Sequence, residues 1–335
     1  MSAQPPPPNA PAAPSRGARA PFTRVVVLYG GLSSEREVSL NSGRAVHAAL
    51  VARGYDAHLL DPRDPLNPAR AIDLAAALRG LGAEVVFNAL HGTYGEDGCL
   101  QGLLEWARVP YTGSGVKASA VAMDKELTRV LMARAGVPVA GACIWREGDP
   151  LPAAADLPAG PWALKPLAEG SSVGVSKREL LEDLHEGLAA ARGAWLIESW
   201  LTGTELSVMV LDGEAWGGVE IAPTQGWYDY EAKYVRGDTR YYCPPRISEE
   251  VSALLNQLAE RAYAALECRG AARVDFIVSD PQDASAPLIA LEVNTSPGMT
   301  ATSLVPKIAA HRGLSFEGLV ERLLAGARLE LKGAR

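Results

Sequence analysis

The sequence lacks the features that mark nucleic-acid-binding, membrane-bound and secreted proteins. Its 335 residues carry a formal net charge of −7 and no block of Lys and Arg, so a nucleic-acid partner is not expected. No apolar run is as long as a membrane span, so no membrane partner is expected either. The N-terminal residues have no apolar core of a signal peptide, and their proline and alanine bias predicts a disordered leader over residues 1–22.

The cysteines and histidines are too scattered for a disulfide framework or a zinc site. The four cysteines form no CxxC pair, and the five histidines form no HExxH motif. This pattern is typical of reduced thiols in a cytoplasmic protein. A hydrophobic content of 48% with 21% charged residues indicates a globular protein, and its length suggests two or three domains.

The first folded part alternates strands with helices. The apolar run "TRVVVLYGG" precedes a helical pattern in "SSEREVSLNSGRAVHAALVARGY", and "AEVVFNALHGTYGEDG" followed by "CLQGLLEWAR" repeats this order. The alternation predicts a parallel α/β sheet in an N-terminal domain over residues 23–119. Ligands gather at the carboxyl ends of such strands, which places Glu35, His91 and Glu96 on one rim.

After residue 119 the pattern predicts mixed α+β structure. Short strands with turn signals dominate, so we expect a central domain over residues 120–220 and a C-terminal domain over residues 221–335. The C-terminal part contains the long polar segment "APTQGWYDYEAKYVRGDTRYYCPP". A segment of this kind suits a lid that excludes water from a reactive intermediate.

Two short strands carry polar side chains at alternate positions. In "ARVDFIVSD" these are Arg273 and Asp275, and in "LIALEVN" they are Glu292 and Asn294. Side chains two apart share one face of a strand, and the turn-rich link "DPQDASAP" would join the two strands as an antiparallel hairpin. Oxygen ligands beside an arginine suit Mg²⁺ and a phosphate group. The alternatives are an edge strand with a solvated face and a surface ion pair, and the metal site is favoured over both.

A Gly/Ser loop follows a strand that ends in a lysine. In "ALKPLAEGSSVGVSK", Lys165 precedes the small residues Gly170, Ser171, Ser172 and Gly174. Small residues let backbone N–H groups approach phosphate oxygens, so this loop is a candidate phosphate site. There is no Walker A motif, which excludes a P-loop protein.

A second glycine motif suggests a different activity. "GSGVKA", Gly113 to Ala118, matches a variant of the dinucleotide-binding fingerprint and follows a short strand, so a hydride-transfer enzyme is the rival hypothesis. However, no Asp or Glu lies about twenty residues further on, where that fingerprint requires one. The motif also falls at the end of the α/β region, so the dinucleotide interpretation is not favoured.

Seven separated motifs give the chain a family resemblance. They are "YGGLSSEREVSLNSG", "NALHGTYGEDG", "MDK", "LKPLAEGSSVGVSK", "YDYEAKY", "RVDF" and "EVNTSPGMTATSLVP". In this order they resemble the ATP-grasp superfamily, and specifically the D-alanine–D-alanine ligase family, from about Val25 to the end of the chain. The resemblance implies an α/β and α+β fold of three domains. An N-terminal parallel α/β domain would come first, with ATP held between two antiparallel sheets of the other two domains.

The resemblance also implies a reaction. The carboxylate of one D-alanine attacks the γ-phosphate of ATP, and the amine of a second D-alanine then displaces phosphate from the resulting acyl phosphate. The product would be D-alanyl-D-alanine for peptidoglycan precursor synthesis. Two Mg²⁺ ions, which Mn²⁺ could replace, would be the cofactor, and a homodimer is expected. The alternatives are D-serine or D-lactate as the second substrate, and an ATP-binding relative without catalytic activity.

The matching motifs carry the family's site residues onto this sequence. The resemblance assigns ATP contacts to Lys125, Lys165, Glu169, Gly170, Ser172, Val173, Glu198, Trp200, Leu201, Glu205 and Lys233. It assigns metal binding to Asp275, Glu292 and Asn294. It assigns catalytic roles to Glu35, Ser171, Tyr234, Arg273 and Ser303, and contacts with D-alanine to His91, Gly298 and Leu304.

Some of these roles compete with simpler explanations. Glu35 would meet the ammonium of the first D-alanine and His91 would lie near its carboxylate. Without the resemblance, Glu35 is an N-terminal helix acid and His91 is a loop histidine. Arg273 would stabilise the transferring phosphoryl group. Ser303 and Leu304, at a predicted helix start, would receive the carboxylate of the second D-alanine.

The resemblance bears on the second substrate as well. The family links a tyrosine that matches Tyr234 to the residues that match Glu35 and Ser171. Relatives that make D-alanyl-D-lactate lack this tyrosine arrangement, so Tyr234 favours an amine as the second substrate. The chain departs from the family pattern at Leu32, Leu167 and Ala168, where polar residues are usual, and none of these departures removes an assigned catalytic side chain.

Overall fold

Three β-sheets and the helices packed on them make up the described part of the chain. The computed structural model describes residues 20–63, 71–167, 170, 174–228, 232 and 237–331. The first sheet is parallel and the other two are antiparallel. The four cysteines are free thiols. Within the described ranges, no helix combines the length and the apolar character that crossing a membrane requires.

The central strand of the N-terminal sheet is buried on both faces. Strand β1 (Arg24–Leu28) lies between β2 (Asp56–Leu60) and β3 (Val85–Asn88), and both pairings are parallel. Parallel sheets covered by helices favour continuous apolar runs, which accounts for the fully buried valines of β1. The predicted parallel α/β sheet is confirmed.

Helices α1 (Arg36–Ala52), α2 (Ala71–Gly80) and α3 (Cys99–Ala107) accompany this sheet. Helix α1 comes close to the end of β1 because Gly43 has no side chain: a Cβ there would lie 2.2 Å from the Cβ of Tyr29. The loops after β1 and β3 therefore meet at one edge, and they carry Glu35 and His91.

Two short helices lead to the second sheet. Helix α4 (Val116–Met123) is followed directly by α5 (Lys125–Arg134). Asp124 caps α5, since its side chain accepts a hydrogen bond from the N–H of Leu127 at 3.0 Å. This cap starts α5 at Lys125, so the lysine stands at the amino end of the helix.

The second sheet has four antiparallel strands in the order β4-β7-β5-β6. These are β4 (Ala142–Arg146), β5 (Trp162–Pro166), β6 (Ser176–Arg178) and β7 (Ala194–Ser199), with a short 3₁₀ helix at Ala154–Asp156. Helix α6 (Leu181–Ala190) buries Leu184 and Leu188 against the sheet residues Leu164 and Ile197. One face of the sheet is thereby covered, and the other borders a cavity between the second and third sheets.

The third sheet has five strands in the order β10-β9-β8-β11-β12. These are β8 (Thr204–Leu211), β9 (Glu214–Ala222), β10 (Arg240–Tyr242), β11 (Ala271–Val278) and β12 (Leu288–Asn294). Strands β8 and β9 belong to this sheet although the sequence places the division between central and C-terminal domains at residue 220. The sheet spans both sides of that residue, and the domain division stays a prediction.

Both faces of the third sheet are packed. Helix α7 (Glu249–Ala265), capped by Ser248, buries one side of its apolar stripe against residues such as Val274 and Phe276. Helices α8 (Leu304–His311) and α9 (Phe316–Ala325) join the N-terminal sheet and the third sheet in one continuous core. This packing holds the end of β12 beside the loops that follow β1 and β3.

Candidate active site

The polar hairpin predicted from alternate residues is present. Strands β11 and β12 pair antiparallel, with Arg273 opposite Asn294 and Asp275 opposite Glu292. The pairing shifts register after Asp275, which marks a local irregularity at the position of the carboxylates. Four side chains that are paired in sequence as i and i+2 therefore stand together on two neighbouring strands.

Asp275 is held from two sides. The Ser207 hydroxyl donates to its Oδ1 at 2.5 Å, and Arg273 donates from Nε to Oδ1 at 3.0 Å and from Nη2 to Oδ2 at 2.8 Å. Burial acts to lower the pKa of Arg273, but Asp275 and Glu292 outweigh it and raise the pKa above its ordinary value. The guanidinium is thus a fixed positive charge beside two carboxylates.

The donor set of the hairpin suits a hard cation. Asp275, Glu292 and Asn294 offer two carboxylates and an amide, all oxygen donors on adjacent strands. No cluster of three or more His, Cys, Asp or Glu side chains that could hold a metal occurs in the part of the chain described. Mg²⁺ does not need one, because it usually keeps several waters and binds one or two carboxylates together with substrate phosphates. The residues present therefore fit Mg²⁺ beside a bound nucleotide.

A cavity of about 130 Å³ lies between the second and third sheets. Six of the residues predicted to bind ATP line it, together with two of the predicted metal ligands: Lys125, Lys165, Glu198, Trp200, Leu201, Glu205, Asp275 and Glu292. The positive lysines and the acidic hairpin face each other across it. We call this the nucleotide cavity.

Two tryptophans form one wall of the nucleotide cavity. Trp200 and Trp227 meet edge to face with 5.6 Å between ring centroids, and Lys177 Nζ lies 5.4 Å from the centre of the Trp200 ring. Such a geometry is favourable for aromatic pairs and leaves flat surface for a planar base. Trp227 was not predicted as a site residue.

Glu198 is buried between two cations. Its Oε2 accepts a hydrogen bond from Arg129 Nη1 at 2.9 Å, and its Oε1 forms an ion pair with Lys165 Nζ. Arg129 lies on α5, one turn after Lys125, and also donates to the carbonyl oxygen of Ala140. Arg129 was not predicted either.

A second cavity of about 460 Å³ also borders the polar hairpin, where Arg273, Glu292 and Asn294 line it. It is lined by the described residues that were predicted to contact D-alanine or to act in catalysis: Glu35, His91, Arg273, Gly298, Ser303 and Leu304. Glu292 and Tyr228 line this cavity as well as the nucleotide cavity. We call it the substrate cavity.

The loops at the carboxyl ends of β1 and β3 bring Glu35 into the substrate cavity. The Ser33 hydroxyl donates to the His91 carbonyl at 2.6 Å and accepts from the Glu35 N–H at 3.2 Å, which ties the two loops together. A Cβ on Gly170 would lie 3.1 Å from Glu35 Oε2. Gly170 of the predicted phosphate loop therefore lies close to Glu35, the carboxylate predicted to bind the substrate ammonium.

His91 is a buried side chain with a hydroxyl partner. Its Nε2 lies 3.3 Å from Ser42 Oγ, which in turn accepts the N–H of Met299 at 3.1 Å. Burial lowers the pKa of His91 more than the nearby Glu35 raises it. The ring is therefore neutral at physiological pH and can act as a hydrogen-bond partner.

Glu96 stands behind Glu35 on the rim predicted for it. Its Oε1 accepts the N–H of Gly92 at 2.8 Å. Burial and the neighbouring Glu35 raise the pKa of Glu96 to about 8. Glu96 therefore holds a proton near neutral pH.

The start of helix α8 faces the substrate cavity. Ser303 is its N-cap residue, and its Oγ accepts the Thr300 N–H at 3.0 Å and lies 2.8 Å from the Thr300 hydroxyl. A Cβ on Gly298 would lie 2.8 Å from the same Oγ. The first N–H groups of a helix favour a carboxylate, so this end of the cavity suits an anionic group.

Two tyrosines close the substrate cavity on the side of the third sheet. The hydroxyls of Tyr228 and Tyr241 lie 3.0 Å apart, and their rings meet nearly at right angles with 6.3 Å between centroids. Burial raises the pKa of Tyr228, so its hydroxyl stays protonated. Both tyrosines belong to the long polar segment that the sequence predicts as a lid, and neither was predicted as a site residue.

Several predicted site residues lie outside the described residues. They are Glu169, Ser171, Ser172, Val173, Lys233 and Tyr234. Their roles stay predictions.

At the rival dinucleotide motif, a protein side chain occupies the place where a pyrophosphate would bind. Val116, the first residue of α4, donates its N–H to Glu330 Oε2 at 2.7 Å, and a Cβ on Gly115 would fall within 2.6 Å of all three carboxyl atoms of that glutamate. A pyrophosphate would need this helix start. The motif packs against Glu330 near the C-terminal end of the chain and is not a nucleotide site.

Comparison with known proteins gives the family. The model described as D-ala D-ala ligase C-terminus matches residues 153–325, and the one described as D-ala D-ala ligase N-terminus matches residues 61–114. The chain belongs to the D-alanine–D-alanine ligase family. The predicted resemblance and the predicted ATP-grasp fold are confirmed.

Curated relatives match over nearly the whole length of this ligase-family chain. The D-alanine–D-alanine ligase of Anaeromyxobacter sp. (strain Fw109-5) is 49% identical over 315 residues, which cover 92% of this chain and 97% of the relative. That of Syntrophotalea carbinolica is 44% identical and covers 91% and 96%. The crystal structure of the Bacillus anthracis ligase complexed with ATP superposes with a TM-score of 0.78 at 26% identity, covering 91% and 97%.

Proposed function

We propose that this member of the D-alanine–D-alanine ligase family joins two D-alanines through a D-alanyl phosphate, with release of ADP and phosphate. The observation that carries the proposal is that Glu292 lines both the nucleotide cavity and the substrate cavity. A γ-phosphate in one cavity and a carboxylate in the other would meet at this residue. Family membership supports D-alanine and ATP as the two substrates.

The nucleotide would be held by opposite charges and a flat wall. Lys125 and Lys165 would bind the phosphates, since a lysine ammonium carries three donors and can contact several oxygens. The tryptophan pair would contact the base, and Glu205, which lines the same cavity, would accept from the ribose hydroxyls.

The first step is attack by the carboxylate of the first D-alanine. Glu35 would pair with its ammonium, and neutral His91 would orient its carboxylate without adding charge. One carboxylate oxygen forms a bond to the γ-phosphorus while the bond to the bridging oxygen breaks, and that electron pair leaves with ADP. Arg273 would neutralise the negative charge that spreads over the transferring group.

The second step is attack by the amine of the second D-alanine. The amine nitrogen forms a bond to the carbonyl carbon of the acyl phosphate, phosphate leaves with its electron pair, and the amine gives up a proton. Gly298 would contact the oxyanion that forms at the carbonyl oxygen when the amine adds. The start of α8 at Ser303 and Leu304 would hold the carboxylate of the second D-alanine. The acyl phosphate makes this step feasible because a free carboxylate is a poor acyl donor.

We assign two divalent cations to the polar hairpin. Asp275, Glu292 and Asn294 would hold two Mg²⁺ ions, or Mn²⁺ in their place, and the bound cations would neutralise phosphate charge. The loop of Glu169 to Val173 and the segment with Lys233 and Tyr234 would then cover the phosphates and link to Glu35. Tyr234 favours an amine as the second substrate over D-lactate.

We also propose a homodimer, as expected from the family resemblance, and a cytoplasmic location, in keeping with four free cysteines. Analytical ultracentrifugation tests the first directly.

The test of the function is phosphate release from Mg-ATP with D-alanine, combined with mass spectrometry of the product. D-Serine and D-lactate are offered as competing second substrates. Stoichiometric phosphate and D-alanyl-D-alanine, both lost in Arg273→Ala at unchanged nucleotide affinity, are expected. Nucleotide binding without turnover on any D-alanine mixture would sink the proposal.

A further inference from the structure

Three charged side chains form a buried chain behind the phosphate side of the nucleotide cavity. Arg129, Glu198 and Lys165 alternate in sign, and the side chains are 10%, 3% and 17% exposed. Both carboxylate oxygens of Glu198 are occupied, one by each cation. Lys165 and Glu198 line the cavity, whereas Arg129 is not among the described residues of its wall.

The strand register accounts for the position of Lys165. Ala163 of β5 is directly opposite Glu198 of β7, and Lys165 is two residues further along β5 on the same face. Lys165 is thus a diagonal neighbour of Glu198, and its Nζ contacts Oε1 of that carboxylate. The other oxygen points to α5, from which Arg129 approaches.

Arg129 has two anchors and therefore a defined orientation. Its Nη1 donates to Glu198 Oε2 at 2.9 Å, while Nη2 donates to the Ala140 carbonyl. A planar guanidinium satisfies both acceptors at once, which a lysine ammonium on a flexible stem does with less orientation. When one oxygen of a carboxylate is fixed, the other oxygen points in a fixed direction. Hydrogen-bond partners orient the coordinating side chains of metal sites in the same way.

We propose that Arg129 is a positioning residue for nucleotide binding: it orients the Glu198 carboxylate, and through it the Lys165 ammonium that meets the phosphates. The inference rests on the proposed function. Helix α5 then serves the nucleotide twice, through Lys125 at its first residue and through Arg129 one turn later. With Arg129 present, the group of three charged side chains has a net positive charge. Lys165 therefore keeps its attraction for phosphate.

The experiment measures nucleotide affinity apart from catalysis. Calorimetric titration with Mg-ADP is carried out on wild type, Arg129→Met and Arg129→Lys, with KM for D-alanine measured alongside. We expect Arg129→Met to raise the Kd of Mg-ADP by about tenfold. This is the low end of the loss of affinity that follows when a side chain that orients a metal-coordinating residue is removed. Arg129→Lys should recover part of the affinity, and KM for D-alanine should stay near that of wild type.

Arg246→Met is the matched control. Arg246 donates from Nε at 3.0 Å and from Nη2 at 2.5 Å to Glu220, whose side chain is 7% exposed. Removing it leaves a buried carboxylate without its arginine, as Arg129→Met does, but away from the nucleotide cavity. This variant should lower Tm without changing the Kd of Mg-ADP.

A double-mutant cycle separates positioning from general stability. If Arg129 acts through Glu198, Arg129→Met should change the Kd of Mg-ADP by less than about twofold in a Glu198→Gln background. The inference would be overturned if the two substitutions raised the Kd of Mg-ADP independently, so that their effects multiplied in the double mutant. It would also be overturned if Arg129→Met bound Mg-ADP as tightly as wild type. The two proposals fail separately, because wild-type protein that binds nucleotide but forms no dipeptide refutes only the ligase function.

Discussion

Glu96→Gln should make the protein more stable at neutral and alkaline pH. Glu96 shares a cavity with Glu35, Glu292 and Lys125, and burial together with Glu35 raises its pKa from 4.5 to about 8. Its Oε1 accepts the Gly92 N–H at 2.8 Å, and glutamine keeps that oxygen. The amide therefore copies the neutral form of the acid that the folded protein prefers.

The size of the effect follows from the two pKa values. Between pH 4.5 and about 8 the unfolded chain releases the Glu96 proton while the folded chain retains it, so folding takes up a proton and stability falls as pH rises. Each pKa unit corresponds to about 1.36 kcal/mol, so wild type loses up to about 3 kcal/mol by pH 7 relative to the amide. For a chain of this length that is about 4 °C in Tm.

The assay is the difference in Tm between Glu96→Gln and wild type from pH 5 to pH 9, without nucleotide or divalent metal. The difference should be small at pH 5, grow in favour of the variant up to about pH 8, and then stay constant. Glu84→Gln is the control, because backbone N–H donors from Thr23 and Arg24 lower the pKa of Glu84 and its titration lies below this window. A difference for Glu96→Gln that does not change with pH would refute the reasoning.

Three further variants test the cavity walls. Trp227→Leu removes the edge-to-face aromatic pair, worth about 1 kcal/mol, and should raise KM for ATP several-fold while KM for D-alanine stays unchanged in steady-state assays. Gly298→Ala places a Cβ 2.8 Å from Ser303 Oγ, so it should raise KM for the second D-alanine, whereas a change in KM for ATP alone would contradict this. Tyr241→Phe removes the hydroxyl contact with Tyr228, worth about 1 kcal/mol, and calorimetry should show weaker D-alanine binding with unaltered Mg-ADP binding.

Local sequence was enough to predict the polar hairpin. Alternation along a strand determines which side chains share a face, and a turn-rich link of eight residues left little choice other than antiparallel pairing, so Arg273, Asp275, Glu292 and Asn294 could be grouped. The parallel N-terminal sheet was equally clear, because buried apolar runs alternate with amphipathic helices. These features depend on neighbours within a few residues.

Contacts between distant segments could not be predicted in this way. Arg129 has the spacing of an ordinary helix residue, and its partner Glu198 is 69 positions away on a strand. Trp200 follows β7 of the second sheet and Trp227 follows β9 of the third sheet, and the two rings meet only in the folded chain. Helical or strand periodicity indicates which face of an element is buried but not which distant element covers it. Only the strand order and packing bring these pairs together.

Glu330 and Leu331, at the end of the described chain, limit how far the protein can be shortened. The backbone N–H groups of Glu330 and Leu331 donate to Glu105 at 2.6 and 3.2 Å, while the Glu330 side chain receives the N–H of Val116. A truncation before Glu330 would strip the buried Glu105 carboxylate of two donors and uncap α4. Helix α5 follows α4 directly, so a truncation that removes Glu330 would loosen the support of the nucleotide cavity.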